Sequence, residues 1–210
     1  MKLEIKSVTK FFDNTKVLDN VNLTLTSGKI YGFVGRNGSG KSVLMKIICN
    51  FYNLSEGKIL LDGEDYISKR SFPKDTRALI EKPNFLPNLT GLENLELLAS
   101  IQNKVDTEII KSWLKKLNLD KEMNKVYSKY SLGTKQKLGI AQVLMEDPKL
   151  IILDEPFNGV DEETVNNIKL ILKEEKNRDK IIIIASHIKE DIDSLCDVVF
   201  KVDSGSVKKI

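Results

Sequence analysis

Eight residues, Gly35-Arg36-Asn37-Gly38-Ser39-Gly40-Lys41-Ser42, limit what this chain can fold into more than any other stretch. They have the form G-x-x-x-x-G-K-[ST], the Walker A pattern. An apolar run, Ile30–Val34, leads into them and Val43–Ile48 follows, so the spacing predicts a buried strand, a loop and a helix. Glycines let the backbone turn tightly and close on an anion with no side chain in the way. The N–H groups of the loop and the first helical turn then point at phosphate oxygens. Lys41 is placed to reach the outer phosphates of a nucleotide, and Ser42 to offer its hydroxyl to Mg²⁺.

The rest of the chain supplies the sheet that such a loop needs. Residues 2–34 are predicted to be sheet-rich, since Leu3-Glu4-Ile5 and Val21–Leu25 alternate. Lys58–Leu61 followed by Asp62-Gly63 reads as a strand and hairpin turn. These strands are expected to form a small antiparallel layer beside the main sheet. Ala78–Ile80 is a short strand that Glu81 ends. Leu150–Leu153 and Ile181–Ala185 are continuous apolar runs, the pattern of strands covered on both faces. Val198–Val202 is a last strand, followed by a turn at Asp203–Ser206. Helical segments over about 162–176 and after His187 alternate with these strands. An α/β fold with a mostly parallel sheet and crossover helices follows.

Residues 88–146 have a different pattern. Thr90 and Glu93 match a capping box. Leu92, Leu95, Leu98 and Ala99, and then Ile109, Ile110, Trp113, Leu114 and Leu117, keep helical spacing, and another helix starts near Ser131. The expected organisation is one domain, residues 1–210. Its core comprises 1–87 and 147–210, and 88–146 is a helical subdomain. Trp113 is expected in the core.

Composition narrows the partners. Hydrophobic residues are 41 % and charged residues 30 %, as in a soluble globular chain. The net charge is +3 with no long run of one sign, which gives no reason to expect nucleic acid. No segment approaches the roughly 18 apolar residues of a membrane span, and no secretory leader is evident. Any service to a membrane is therefore expected to pass through a partner. Cys49 and Cys196 lie far apart among apolar residues, as expected of buried thiols in a cytosolic protein.

Asp154 ends the apolar strand Leu150–Leu153, where a carboxylate can hold Mg²⁺ directly or through water. Glu155 is adjacent and can polarise an attacking water. His187, the only histidine, follows the second apolar strand at an edge where ligands collect in open α/β sheets.

Together these residues resemble the nucleotide-binding subunits of ABC transporters, over nearly the whole chain. The most specific element is Tyr130-Ser131-Leu132-Gly133-Thr134-Lys135-Gln136, similar to the signature usually written L-S-G-G-Q, with Lys137–Ala141 continuing the match. This segment argues against a P-loop kinase or GTPase. The resemblance implies a P-loop NTPase of ABC ATPase type that takes ATP and Mg²⁺. It implies that Phe12, or its neighbour Phe11, stacks on adenine. Gly35, Asn37, Gly38, Ser39, Gly40, Lys41, Ser42 and Val43 would hold the phosphates. Ser42, Asp154 and Glu81 would face the metal, and Glu155 and His187 would be catalytic with Lys41. Ser131 and Gly133 would touch the γ-phosphate across a dimer interface, and Gly159 and Asp161 would lie in a loop that crosses between subunits.

Three positions depart from the family pattern. Leu132 stands for the first glycine of the signature pair, so it is expected in an ordinary backbone region. Thr134 stands for glutamine, and Glu81 stands for the glutamine that touches Mg²⁺. With Ala78–Pro83 and Asn88-Leu89-Thr90, these resemble the bacitracin and lantibiotic self-protection branch. The expected function is the ATP-hydrolysing subunit of an exporter for antimicrobial peptides or drugs. Its partners would be a second ATPase chain, identical or paralogous, and a separate membrane permease. The expected location is the cytoplasmic face of the membrane. The alternatives are a soluble ABC ATPase acting on ribosomes or DNA, and a regulatory module with little hydrolysis.

Overall fold

A computed structural model describes residues 1–210. In chain order the strands are β1 (Lys2–Phe12), β2 (Thr15–Thr26), β3 (Lys29–Val34), β4 (Glu56–Leu61), β5 (Thr76–Leu79), β6 (Leu150–Asp154), β7 (Ile181–Ser186), β8 (Val198–Asp203) and β9 (Ser206–Lys209). The helices are α1 (Lys41–Ile48), α2 (Gly91–Ala99), α3 (Thr107–Lys116), α4 (Leu132–Leu144), α5 (Glu162–Asn177) and α6 (Lys189–Asp193).

Two sheets form. One is antiparallel with order β2-β1-β4, and the other has order β5-β6-β7-β3-β8-β9. All neighbours in the second are parallel except β8 and β9. Leu61 and Glu64 exchange backbone hydrogen bonds of 2.9 and 3.0 Å around Asp62-Gly63, the tight turn expected there. The fold is thus α/β, with a mostly parallel sheet, an antiparallel sheet, and a helical insert made of α2, α3 and α4, as the resemblance implies.

The continuous apolarity of β6 and β7 has a direct cause. Ile151, Leu153, Ile182 and Ile184 face a core shared with Trp113, Leu114, Leu138 and Ile140 of the insert. Leu150, Ile152, Ile181 and Ile183 face a second core with Leu3, Ile5, Leu25, Leu44 and Ile47. Alternate side chains of one strand therefore fill two cores, each contributing about 1.5–3 kcal/mol by leaving water. The capping box at α2 is present: Glu93 N–H donates to Thr90 Oγ1 at 3.2 Å, and Thr90 N–H donates to Glu93 Oε2 at 2.7 Å.

Two details differ from expectation. The chain does not stop at a turn after β8, since β9 folds back on it and pairs Val207 with Val202. Ser204 (φ 48°) and Gly205 (φ 80°) make the left-handed two-residue turn that permits this hairpin. Cys49 is buried, but Cys196 is only half-buried.

Register decides where the chemistry falls. Val34 pairs with Ser186, and Asp154 with Ala185. The carboxyl ends of β3, β6 and β7 therefore lie at one edge, which gathers the phosphate loop, Asp154-Glu155 and Ser186-His187 there.

Candidate functional site

The loop between β3 and α1 is shaped by backbone proximity. A Cβ on Gly35 would come within 2.2 Å of the Val202 carbonyl oxygen, so no larger residue fits beside the end of β8. Gly40 precedes α1 and has no side chain to cap it, which leaves the first-turn N–H groups for a ligand. Lys41 is only 5 % exposed. Its Nζ donates to the carbonyls of Gly35 at 2.7 Å and Arg36 at 3.2 Å. This folds the ammonium into the loop and leaves it capacity for one further acceptor. Asn37, Gly38, Gly40, Lys41, Ser42 and Val43, with Val17 and Glu155, line a cleft of about 310 Å³.

Glu155 lines this cleft, and Asp154 lies beside Ser42. Asp154 Oδ1 and Ser39 Oγ are buried without a hydrogen-bond partner. A buried carboxylate oxygen left unpaired is costly unless something binds it. Burial pushes the Asp154 carboxyl above its ordinary range; Ser42 beside it pulls it down, Glu155 pushes it up, Lys41 lowers it and Glu81 raises it. An orphan carboxylate oxygen next to the Ser42 hydroxyl is an oxygen donor set suited to a hard divalent cation, so these residues fit Mg²⁺.

Glu155 is held in the left-handed region (φ 49°), a strain of order 1 kcal/mol. Its N–H donates to Ala185 O at 2.8 Å, which continues the β6–β7 pairing one residue beyond the strand. Its Oε2 lies 2.9 Å from His187 Nδ1 and accepts from Ser186 Oγ at 3.3 Å. Gln136 of α4, buried, donates to the Glu155 carbonyl at 3.3 Å. A carboxylate oxygen accepts, so His187 donates from Nδ1 in this contact.

Glu81 also takes a left-handed φ, 67°, and ion-pairs with Lys46 of α1. It lines a second cleft of about 300 Å³ with Lys82, Leu132, Gln136, Asp154, Glu155 and Asn158. Glu155 belongs to both clefts.

Of the signature segment, Leu132 and Gln136 line the second cleft, while Ser131 and Gly133 line neither. Ser131 caps α4, accepting from Thr134 N–H at 3.1 Å, and sits 2.7 Å from the Thr134 hydroxyl. Leu132 begins the helix with ordinary backbone angles and is 51 % exposed. Gly159 lies under it, where a Cβ would meet Leu132 Cδ2 at 2.5 Å. Neither Ser131 nor Gly133 lines the cleft of the phosphate loop. Asp161 caps α5: its Oδ1 accepts from Thr164 N–H at 2.9 Å and its Oδ2 from the Thr164 hydroxyl at 2.9 Å. Those bonds hold its carboxyl below the usual range.

Phe12 sits at the β1–β2 hairpin, 38 % exposed, with its ring edge-on to Tyr52 at 5.4 Å and Lys10 Nζ 4.6 Å from its centroid. Gln136 is the last residue of the signature segment, whereas Ser186 and Lys46 belong to no motif of the site. Ser186 carries a signal, a hydroxyl ending an apolar strand just before the only histidine. Lys46 carries none beyond its place on a helix.

Comparison with known proteins agrees with this architecture. The family model described as ABC transporter matches residues 18–158. An uncharacterised ABC transporter ATP-binding protein of Bacillus subtilis is 38 % identical over 98 % of this chain and 94 % of its own length. The bacitracin transport ATP-binding protein of Enterococcus faecalis is 38 % identical over 94 % of this chain, which spans 65 % of that relative. A solved structure of the ATP-binding subunit of an ABC transporter superposes with a TM-score of 0.91 at 25 % identity, covering 100 % of this chain and 90 % of that one. The chain belongs to the ABC transporter family, as an ATP-binding and ATP-hydrolysing domain homologous to bacitracin-transport ATPases. No helix is long and apolar enough to cross a membrane.

Proposed function

We propose that two copies of this chain hold ATP head to tail, and that its hydrolysis powers an exporter whose membrane permease is a separate protein. The observation that carries the dimer is that Ser131 and Gly133 line neither cleft of their own chain. The phosphate loop, Asp154 and Glu155 form a concave half-site, while Ser131 and Gly133 lie outside it at the exposed start of a helix. A helix N-terminus attracts negative charge. In a head-to-tail pair, the α4 terminus of one copy covers the outer phosphate on the other. The helical subdomain, 88–146, moves relative to the core, 1–87 with 147–210, as the pair opens and closes.

Within the half-site, Lys41 and the N–H groups of Gly38–Val43 bind and orient the phosphates, and Phe12 packs on the base. Ser42 and Asp154 would hold Mg²⁺, with Glu81 lining the cleft that Asp154 lines; the ion, when bound, neutralises phosphate charge. Glu155 orients the attacking water and takes its proton. His187 fixes the Glu155 carboxylate through Nδ1, and Lys41 stabilises charge on the transferring group. Asp161 keeps the loop after β6 in shape by capping α5.

An export role, with a peptide antibiotic as cargo, is supported by the similarity to the bacitracin transport relative. The chain would then work at the cytoplasmic face of the membrane.

Complementation tests the composite site. Lys41→Ala and Ser131→Ala/Gly133→Asp chains should each hydrolyse ATP poorly. Mixing them should restore activity, because one site of each mixed pair has an intact loop and an intact cap. Full activity in either mutant alone, or no recovery on mixing, would overturn the head-to-tail reading.

A further inference from the structure

Register places Glu81 close to the proposed metal site. Leu79 pairs with Leu153, so Glu81 lies two residues past that pair at the level of Glu155. Glu81 shares a cleft with Asp154 and Glu155. Its carboxylate is nevertheless engaged elsewhere, in the ion pair with Lys46 one helical turn after Ser42. The Glu81 side chain is 66 % exposed and that of Lys46 only 20 %. The lysine is thus the anchored member of the pair.

Lys46 is held from its other side by an aromatic pair. Its Nζ lies 5.1 Å from the Tyr52 ring centroid, and Tyr52 in turn is braced edge-on by Phe12. A cation over a ring face is attracted by the ring quadrupole. One run of contacts therefore joins the hairpin that carries Phe12 to Glu81, two residues past the end of β5.

We propose that Lys46 is a positioning residue that holds the Glu81 carboxylate off the Asp154–Ser42 site, so that metal-loaded nucleotide and Lys46 compete for Glu81. This rests on the ATP-dependent function proposed above and assigns that site a control residue. An exposed ion pair is weak, so the competition is shallow and reversible.

A double-mutant cycle on the full-length chain tests this, with Mn²⁺ as the probe in place of Mg²⁺. The readout is the affinity of ATP-loaded protein for Mn²⁺ by electron paramagnetic resonance, set against ATP affinity in EDTA. Lys46→Met should tighten Mn²⁺ binding about two- to fivefold, the factor that losing an exposed pair corresponds to. Lys46→Arg, which keeps the charge, should stay at the wild-type value. In a Glu81→Gln chain, Lys46→Met should change Mn²⁺ affinity little. Removing a positive charge near a cation site tightens it by plain electrostatics too, and that effect persists without Glu81. An equal gain in both backgrounds, or no gain in either, would therefore overturn the proposal. A wild-type chain that binds ATP but shows no gain with Lys46→Met would sink this inference alone. A wild-type chain that binds no ATP would sink the proposed function as well.

Discussion

The phosphate loop and the Tyr130–Gln136 segment differ in how much of their chemistry one chain completes. The loop is concave and finished: Gly35 is pressed under the end of β8, Lys41 is buried against loop carbonyls, and Asp154 is buried beside Ser42. The segment is a helix start on the surface, where Ser131 satisfies its own cap and Leu132 is half exposed. The first region is built to bind and the second to be bound against. Nucleotide affinity should therefore reside in the loop, and closure of the site in the segment.

Substitutions can break that contrast or sharpen it. The largest effect is expected at Glu155, which lines both clefts and is assigned to the chemistry rather than to holding the phosphates. Glu155→Gln should slow turnover by about 10²–10⁴-fold, the range for loss of a positioned acid–base group, while ATP affinity holds. Steady-state phosphate release beside a binding titration checks both, and unimpaired turnover would remove Glu155 from the chemistry.

Lys41→Ala comes next. Losing a charge-assisted contact should weaken ATP binding about 10- to 100-fold, and calorimetry reads this directly. Unchanged affinity would mean that the loop is not where the phosphates sit. Ser131→Ala should do the opposite in kind: ADP binding to single chains stays near wild type, while ATP-driven association weakens. Equal losses in both would erase the distinction between the two regions.

The smallest effect is expected far from either region. Thr90→Ala removes half of the capping box of α2 and should cost about 1 kcal/mol, a fall in Tm of about 2–4 °C. ATP affinity should not move. A change there would show that the insert and the loop are coupled even in the free chain.

What could be read from the sequence divides along physical lines. β3, the loop, β6 and β7 were evident because strands covered on both faces need continuous apolar runs, and because glycine, lysine and serine at those spacings suit few other purposes. The capping box was evident because it is local. β9 was not, since Val207 stands between Ser206 and two lysines and pairs only as an edge strand. The Lys46–Glu81 pair was hidden because it joins residues 35 apart in the chain. The strained backbone at Glu81 and Glu155 was hidden too, because nothing in the identity of a glutamate announces a left-handed angle. Asp161 shows a subtler limit. Asp161-Glu162-Glu163-Thr164 carries an ordinary N-cap pattern, yet the family resemblance drew attention to a crossing loop. The structure shows the cap.

The central claim is that a nucleotide is clasped between two molecules. Sedimentation of the Glu155→Gln chain with saturating Mg²⁺ and ATP, against the same chain with ADP, tests it most directly. The account predicts a species of about twice 23.8 kDa with ATP and single chains with ADP. Single 23.8 kDa chains at saturating ATP would contradict it.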